Sequence, residues 1–275
     1  MDNSISILGC GWLGFPLAMH LISAGYKVKG STTSPEKLKI LEKNNIKPFL
    51  LKMTPDINGK EEVSEFFKSD ILLINIPPGT RKNPDNDLHV KQMQVLAKHL
   101  QSSEIKKIIY TSSTSIYPEA NRTFFEDDLK EENDAGNKIL YKAEKVIESS
   151  EKPVTVLRLG GLTGYDRILI NFFSGKSGLP MGNCPVNLIH RDDVIHIIEQ
   201  VIEQQKWGQV YNLCSPVHPL RKDYYPSLAR KLNMPEPHFA PNNNSACKII
   251  NSDKVIRDLH YNFIFPDPNE YTFLP

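Results

Sequence analysis

Short runs that are apolar throughout alternate with segments of helical periodicity in the first part of the chain. Such runs are typical of parallel strands that are buried on both faces of a sheet. Six of them predict strands, at residues 4–8, 26–30, 48–53, 71–76, 105–111 and 154–159. Apolar residues at helical spacing follow the first strand at 15–24 and return at 88–100. The alternation predicts an α/β fold in which helices cover both faces of a parallel sheet.

This rhythm weakens after Gly164. Glycine and proline residues are frequent between 175 and 185, and helical periodicity returns only near 193–205 and 223–232. We expect a sheet domain over residues 1–164 and a smaller, looser substrate-binding region over 165–275. Whether some of the later segments return to the sheet is left open. The polar, acidic stretch 121–134 predicts a surface loop.

Composition excludes few partners but favours a small-molecule ligand. The 275 residues carry a net charge of +1 with no long basic run, so nothing favours nucleic acid or an anionic membrane as a partner. The sequence begins Met-Asp with no basic region and has no apolar run of membrane length, which predicts a cytoplasmic protein without a signal peptide or membrane span. The four cysteines are widely spaced with no CxxC pair, which predicts reduced thiols and no metal site.

Residues 9–14 read GCGWLG and lie between the first strand and the first helix. This is the place that a GxGxxG dinucleotide turn requires. We expect Gly9 to permit the tight turn, Gly11 to let the backbone approach a pyrophosphate, and Gly14 to let helix and strand pack closely. Trp12 and Leu13 belong to the same turn and count among the predicted cofactor contacts.

The end of the second strand bears on the choice of cofactor. An NAD site usually places an acidic residue there, which binds the ribose 2′-hydroxyl. Here the strand leads into Ser31, Thr32 and Thr33, with Lys37 nearby, and the first carboxylate is Glu36 inside the next helix. Hydroxyls and a lysine can accommodate a 2′-phosphate, so we expect NADP in preference to NAD.

The fourth strand ends in INIPP, which predicts a further cofactor contact. Pro77 and Pro78 make the turn after this strand rigid. We expect the backbone of Ile76, Pro77 and Pro78 to lie beside the nicotinamide ribose.

Several motifs occur in order along nearly the whole chain: SISILGCGWLG, INIPP, YTSSTSIY, VLRLGGLTG, LIHRDDV and GQVYNL. Their order and spacing resemble the extended short-chain dehydrogenases/reductases, in particular an atypical branch similar to NAD(P)-dependent epimerase/dehydratase-family proteins. The resemblance implies a Rossmann doubly wound sheet with a small C-terminal substrate-binding region. It also implies an NAD(P)-dependent oxidoreductase or epimerase/dehydratase that acts on a hydroxyl- or carbonyl-bearing small molecule such as a sugar nucleotide, in a monomer or homodimer.

The same resemblance assigns catalytic positions. A Ser or Thr after the fifth strand binds the substrate oxygen in the family, which corresponds to Ser113 with Thr114 close by. The family's Tyr-x-x-x-Lys dyad matches Tyr141 and Lys145 literally. However, the family usually carries a Glu four residues after its Lys, and aligning that Glu with Glu144 replaces the dyad by Gly136 and Leu140.

Helical phase favours the second alignment. Tyr141 and Lys145 lie about 160° from Ala143 of the apolar stripe at 100° per residue, which predicts that both are solvated. We therefore predict that the dyad is missing or displaced. Tyr117 or a group of the substrate then remains as the candidate proton donor. A catalytically inactive NAD(P)-binding sensor or scaffold is the alternative function.

Four further candidates receive structural interpretations. Arg158 is expected to be a structural charge, and His190 to fix a loop by a local hydrogen bond. Asp192 or Asp193 is expected to cap the helix that follows. Cys10, inside the glycine turn, is expected to be a small packing residue.

Overall fold

A computed structural model describes residues 3–58, 60–78, 87–241 and 245–273 of the chain. Within these residues seven strands form one central sheet in the order β10-β7-β5-β4-β1-β2-β3. They are β1 (Ser4–Leu8), β2 (Lys27–Thr32), β3 (Lys47–Leu50), β4 (Ile71–Ile74), β5 (Lys107–Ser113), β7 (Val154–Leu159) and β10 (Val210–Leu213). The pairings from β3 through β5 are parallel. This is the predicted Rossmann-like α/β fold.

The helices follow the strands of the sheet in alternation. They are α1 (Gly14–Ser23), α2 (Leu38–Lys43), α3 (Lys60–Phe66), α4 (Leu88–Gln101), α5 (Lys138–Glu148), α6 (Arg191–Glu203), α7 (Arg221–Lys231) and α8 (Asp253–Leu259). The sequence pattern predicted α1, α4, α6 and α7 to within about two residues at most ends. No helix in the described part of the chain combines the length and apolar character that crossing a membrane requires.

The chain forms two compact units that interleave along the sequence, whereas the sequence analysis expected one boundary near residue 164. The first unit comprises Met1–Ser112, Asn137–Leu157 and Ile198–Val210. The second comprises Ser113–Gly136, Arg158–Ile197 and Tyr211–Pro275. The later part of the chain does return to the sheet, because β10 is its edge strand.

The core of the first unit is built from the continuous apolar strands. All four residues of β4 are 0% exposed, as expected for a strand covered on both faces. Phe66, Met93 and Ile147 bring α3, α4 and α5 onto the same core. Each apolar side chain buried here contributes roughly 1.5–3 kcal/mol to the stability of the folded state. The core that these side chains form holds the strands in place, and with them the strand ends that precede the candidate site.

Asp70 fixes the start of the sheet. Its carboxylate accepts hydrogen bonds from Ser4 Oγ at 2.6 Å, from the Asn3 and Ser4 N–H groups at 3.2 Å, and from Lys106 Nζ at 2.7 Å. Burial acts to raise the pKa of Asp70, but the hydrogen bonds from Lys106, Ser4 and Asn3 outweigh it and hold this pKa below its usual value of 3.8.

We expect Asp70→Asn to lower the free energy of unfolding by about 1 kcal/mol at neutral pH, because the charge and one acceptor are lost. A carboxylate with a depressed folded-state pKa stabilises the protein above its unfolded-state pKa, and this contribution is lost at lower pH. The difference between wild type and variant should therefore shrink as pH falls below about 3.8. Urea unfolding across this pH range measures it, and a difference independent of pH would contradict the assignment.

The second unit contains two further pairs of parallel strands. β8 (Gly161–Thr163) pairs with β9 (Leu188–His190), and β6 (Arg122–Phe124) pairs with β11 (Lys248–Ile250). An aromatic-rich core that includes Tyr224, Tyr225 and Tyr271 also contains Leu188 of β9. The stretch 121–134 was predicted as a surface loop only, but it contributes β6. Three-residue strands carry too short a pattern to be recognised in the sequence.

A disulfide joins Cys184 and Cys247 across 63 residues of sequence, with their Cα atoms 5.3 Å apart. The prediction that all four cysteines are reduced is therefore wrong for this pair. Spacing along the chain could not show that the fold brings these two residues within disulfide range. Cys10 and Cys214 are buried free thiols.

Candidate functional site

The turn at residues 9–14 is built so that two of its glycines are required by packing. Gly9 has a φ of 105°, and a Cβ there would lie 2.3 Å from the carbonyl oxygen of Asn75. A Cβ on Gly14 would lie 2.2 Å from the carbonyl oxygen of Gly9. Neither position can hold a side chain unless the backbone moves. The predicted roles of Gly9 in the turn and of Gly14 in close packing agree with this geometry.

Gly11 differs from the other two glycines. A Cβ on Gly11 would meet nothing within 4 Å, and its backbone lies outside the left-handed region that favours glycine. Neither packing nor backbone conformation within the described chain requires a glycine here. The residue is exposed just ahead of α1, and its carbonyl accepts from the Phe15 N–H of that helix at 2.9 Å. The turn thus leaves an open approach to the backbone at this point.

Asn75 holds the glycine turn against the sheet by hydrogen bonds. This residue was not among the predicted site residues. Its Nδ2 donates to the Gly9 carbonyl at 3.0 Å, and its own N–H donates to the carbonyl of Leu8 at 2.9 Å. Thr111 Oγ1 on β5 donates to Asn75 Oδ1 at 3.2 Å. A polar residue directly after the fully apolar run 71–74 was the available signal. Asn75 holds three neighbouring strand ends in register with the glycine turn.

The hydroxyls at the end of β2 have different environments. Ser31 is buried and its Oγ accepts from the Gly9 N–H at 2.9 Å, so it supports the turn. Thr32 is also buried, and its Oγ1 accepts from the Ser34 N–H at 3.1 Å. Thr33 and Lys37 are exposed. Of the predicted residues, these last two remain accessible to a ligand phosphate.

Glu36 brings a carboxylate to the same strand end. A hydrogen bond from Ser34 to this carboxylate is the main cause that lowers the pKa of Glu36, with its own backbone amide contributing. Glu36 therefore stays ionised at neutral pH beside Lys37. Glu36 was expected inside the following helix, and the sequence showed no sign of its hydrogen bond with Ser34.

The remaining predicted cofactor contacts lie at the same edge of the first unit. Trp12 is half-buried and Leu13 is buried within the turn. Ile76 and Pro78 are half-buried and Pro77 is exposed, directly after Asn75. Their contact with a cofactor stays a prediction.

Cys10 is a packing residue, as expected. Burial raises its pKa to about 12, which keeps the thiol protonated. A Cβ on Gly30 of β2 would lie 2.6 Å from the Cys10 sulfur, so the sulfur fills the space that this glycine leaves. Its contribution to the turn is steric.

A buried carboxylate lies behind the end of β5. Ser112 Oγ donates to Glu144 Oε1 at 2.5 Å, and Glu144 is 1% exposed. Tyr110, two residues earlier on the same face of the strand, hydrogen-bonds His89 Nε2 at 2.8 Å. Burial, together with the nearby charge of Glu144, raises the pKa of Tyr110 above its usual range. Glu144 thus faces the sheet, as the alignment on Glu144 requires.

Tyr141 and Lys145 on α5 have different environments. Lys145 is exposed, as predicted, and its Nζ pairs with Glu148 at 2.7 Å. The prediction that Tyr141 is solvated is wrong, since it is only 9% exposed. The Lys145 stem lies along the tyrosine, with Nζ 5.5 Å from the ring centroid, so the aliphatic part of the lysine covers it.

Gly136 occupies the alternative tyrosine position, and the surrounding backbone excludes any side chain there. A Cβ on Gly136 would lie 2.7 Å from Pro118 Cα and 3.0 Å from the Tyr117 carbonyl carbon. The Gly136 N–H also donates to the Ile116 carbonyl at 2.8 Å. No tyrosine could be accommodated at this position without moving that backbone.

Ser113 begins a one-turn 3-10 helix in the second unit. Its Oγ accepts from the Ser115 N–H at 3.1 Å and from Ser115 Oγ at 3.0 Å. Ser113 therefore caps this 3-10 turn, and its own hydroxyl proton is directed elsewhere. Thr114 is buried. Their catalytic roles stay predictions.

Tyr117 belongs to a buried polar network. Its hydroxyl donates to Asn212 Oδ1 at 2.8 Å and accepts from Arg158 Nη1 at 2.7 Å. Arg158 Nη1 also donates to the Glu126 carbonyl at 3.0 Å, and the Asn212 N–H donates to Glu126 Oε1 at 2.8 Å. Burial raises the pKa of Tyr117 to about 12. Tyr117 is thus a poor proton donor, and Arg158 has the structural role that was expected.

Asp193 is not the helix cap that the sequence suggested. Its fully buried carboxylate accepts from Tyr261 Oη at 2.8 Å, from the Ile264 N–H at 2.7 Å and from the Phe265 N–H at 3.2 Å. The residue therefore anchors a segment near the C-terminus. The residue pattern of one helix contains no information about a hydrogen-bond partner so far away in the sequence.

His190 has the local role that was expected. Its Nδ1 lies 3.3 Å from the Asp192 N–H and accepts from it. Burial lowers the pKa of His190, so the ring stays neutral and orders the entry into α6. Asp192 in turn accepts from Tyr165 Oη at 2.5 Å.

Comparison with known proteins completes this picture. No protein-family model matches the chain. The chain is 33% identical over 269 residues to Protein YeeZ of Escherichia coli strain K12, and the match covers 97% of each sequence.

Solved structures share the fold at lower identity. MoeE5 in complex with UDP-glucose and NAD superposes with a TM-score of 0.77 at 15% identity, covering 98% of this chain and 96% of that one. The UDP-glucuronic acid 4-epimerase of Bacillus cereus, in complex with UDP-glucuronic acid and NAD, gives a TM-score of 0.76 at 16% identity over 94% and 93% of the two chains. The sequence match spans nearly the full length of both proteins, and the chain therefore belongs to the family of Protein YeeZ.

Proposed function

We propose that the protein binds a nicotinamide dinucleotide at the turn formed by Gly9, Gly11 and Gly14. The observation that carries this proposal is Gly11, which neither packing nor backbone conformation requires. A glycine that lets a pyrophosphate approach the backbone explains it. The exposed backbone of the turn at Gly11 and the positive end of the α1 dipole would face the phosphates. The residues of the turn therefore fit the cofactor.

The proposed reaction is the reversible oxidation of a hydroxyl-bearing small molecule, in the manner of an NAD(P)-dependent epimerase/dehydratase. When bound, the nicotinamide supplies the hydride acceptor or donor. Two neighbours of the same fold, MoeE5 and the Bacillus cereus epimerase, were solved with NAD and a UDP-sugar, which supports this reaction class and a sugar nucleotide as substrate.

Ser113 is the proposed donor to the substrate oxygen. Its Oγ accepts both bonds from Ser115, so the serine proton can be donated outward. A positioned hydroxyl of this kind stabilises charge on a reacting oxygen. No general acid is assigned to Tyr117, whose hydroxyl is already bonded to Arg158 and Asn212. We propose that an ionisable group of the substrate gives up the remaining proton when a carbonyl is reduced and takes up a proton when a hydroxyl is oxidised.

Tyr141→Phe is expected to leave turnover within about threefold of wild type, since Lys145 is paired with Glu148 rather than acting on the phenol. Ser113→Ala should lower kcat by about 100-fold, as expected for loss of a donor to a developing oxyanion. Steady-state kinetics of the two variants on the same substrate measure this. A collapse of kcat in the Tyr141 variant would show that the literal dyad operates.

NADP is the proposed cofactor in preference to NAD, because Thr33 and Lys37 are exposed at the end of β2. A lysine within contact distance of a phosphate in water contributes about 1 kcal/mol, or about fivefold in affinity. Lys37→Ala should therefore weaken NADPH binding by about this factor and leave NADH unchanged.

Glu36→Gln is the matched control, since it removes the neighbouring negative charge and should strengthen NADPH binding. Calorimetric titration of both variants with both cofactors provides the comparison. Equal effects of Lys37→Ala on NADPH and NADH would contradict the assignment.

The enzymatic proposal is tested by supplying NADPH with a panel of carbonyl compounds, and NAD or NADP with UDP-sugars, while following reduced-nicotinamide absorbance and product formation. Turnover that is lost in Ser113→Ala is expected. Cofactor binding without turnover on either panel would overturn the enzymatic proposal and leave a cofactor-binding sensor.

A further inference from the structure

Two segments of the second unit lie alongside each other next to a cleft of about 420 Å³. The lining includes Asn183, Lys222, Phe239 and Pro241. This volume is within the range of small-molecule sites. The shape of the cleft depends on how residues 176–184 and 236–241 are held together, because both segments contribute to its lining.

Backbone hydrogen bonds hold one end of the two segments. The Leu179 N–H donates to the His238 carbonyl at 3.0 Å, and the Ala240 N–H donates to the Leu179 carbonyl at 2.9 Å. The disulfide between Cys184 and Cys247 holds the other end. Asn183, next to one of these cysteines, lines the cleft directly.

The two sulfurs differ in accessibility. Cys184 is 3% exposed, whereas Cys247 is only half-buried. The other cysteines, Cys10 and Cys214, are buried, and burial raises both of their pKa values, so neither is suited to thiolate chemistry. Exchange with an external thiol would therefore be confined to the disulfide and would begin at Cys247.

We propose that Cys184 and Cys247 form a reversible dithiol–disulfide couple, a redox modification site that controls how firmly the two segments beside the cleft are joined. Its exchange partner is a small thiol and its disulfide, of the glutathione class. This proposal goes beyond the proposed function and does not depend on cofactor binding.

The exchange is balanced without any further reagent. A thiolate attacks Sγ of Cys247, a mixed disulfide forms, and the Cys184 sulfur leaves with the electron pair and takes up a proton. A second thiolate attacks the outer sulfur of the mixed disulfide, which releases Cys247 as a thiol and the small molecule as its own disulfide. Oxidation is the reverse, with that small disulfide as the oxidant.

Reduction should loosen the cleft without unfolding the unit. Cys247 stays bound to Asn121, which donates its N–H to the Cys247 carbonyl at 2.7 Å and accepts the Cys247 N–H at 2.8 Å. Cys184 stays bound to α7, since its carbonyl accepts from the Arg221 N–H at 2.9 Å. Within the described chain, the loss of order should be local to residues 179–184, 236–241 and 245–247.

The test equilibrates the full chain in glutathione buffers from strongly oxidising to strongly reducing, and counts thiols by alkylation after unfolding. We expect the number of thiols to change from two to four, reversibly, with a midpoint inside the range of the buffers. Among the described residues, amide hydrogen exchange should rise on reduction in 179–184, 236–241 and 245–247 only.

The double variant Cys184→Ser/Cys247→Ser is the control, and its amide exchange should not respond to the buffer. If this variant does not fold, the wild-type protein in its two redox states still decides the question. A disulfide that does not form in the most oxidising buffer, or that persists in the most reducing one, would overturn the proposal. Equal amide exchange in the two states would also overturn it.

Discussion

Gly11→Val weakens NADPH binding by about 100-fold and leaves the melting temperature unchanged; this is the expected result if the glycine serves the ligand. A Cβ at this position meets nothing within 4 Å of the chain, so the side chain strains nothing in the absence of cofactor. With cofactor bound, the added carbons would occupy the approach to the pyrophosphate. Overpacking of this kind typically costs about 1–3 kcal/mol, which reaches about 100-fold at its upper end.

Gly14→Ala is the matched comparison within the same turn. Its Cβ would lie 2.2 Å from the Gly9 carbonyl oxygen, so the folded state itself must shift. We expect a loss of about 2–3 kcal/mol in the free energy of unfolding, measured by urea denaturation. If Gly11→Val destabilised the protein as much as Gly14→Ala, the glycine would be a packing residue and the argument for a ligand would fail.

Arg158→Met lowers the free energy of unfolding by about 3 kcal/mol, the second large effect that the structure predicts. Arg158 is 4% exposed and donates to the Tyr117 hydroxyl and the Glu126 carbonyl. Methionine fills part of the space but leaves that carbonyl without this donor. It also removes one of the two positive charges that act on the buried Glu126 carboxylate, the other being Lys254.

Lys145→Met is the control for this substitution, because Lys145 is exposed and its ion pair with Glu148 is worth less than about 1 kcal/mol. Urea unfolding of both variants at neutral pH gives the comparison. Equal stabilities for Arg158→Met and wild type would show that the Tyr117 network contributes nothing net to the fold.

The sheet was predictable because its strands are long, continuous and apolar. Residues 154–159 were assigned as a strand with the bounds that the structure has, and 71–76 was correct apart from its last two residues. The glycine turn was predictable for the same reason, since its position between strand and helix is a local property. Local patterns carry this information directly.

Contacts between distant parts of the sequence were not predictable. Asn75 supports Gly9 across 66 residues, and Asp193 anchors Ile264 across 71. The disulfide joins Cys184 to Cys247, and no periodic pattern in the sequence relates these two residues. Such partners are determined by the folded topology, so a single sequence shows the residue type without its role.

On α5, the position of a residue around the helix predicted the burial of some side chains correctly and of others wrongly. It separated Glu144, which faces the sheet, from Lys145, which is exposed. It failed for Tyr141, because an amphipathic ring can be covered by the stem of a neighbouring lysine even on a polar face. Phase alone therefore does not determine the burial of long or aromatic side chains.

Trp12 lies in the glycine turn and makes the most direct test of dinucleotide binding. The chain has two tryptophans, so Trp207→Phe leaves Trp12 as the sole reporter. We predict saturable quenching of Trp12 fluorescence by NADPH in this variant, and its loss over the same concentration range when Gly11→Val is added. An unchanged Trp12 signal at saturating NADPH and NADH, or equal quenching with and without the Gly11 substitution, would contradict binding at this turn.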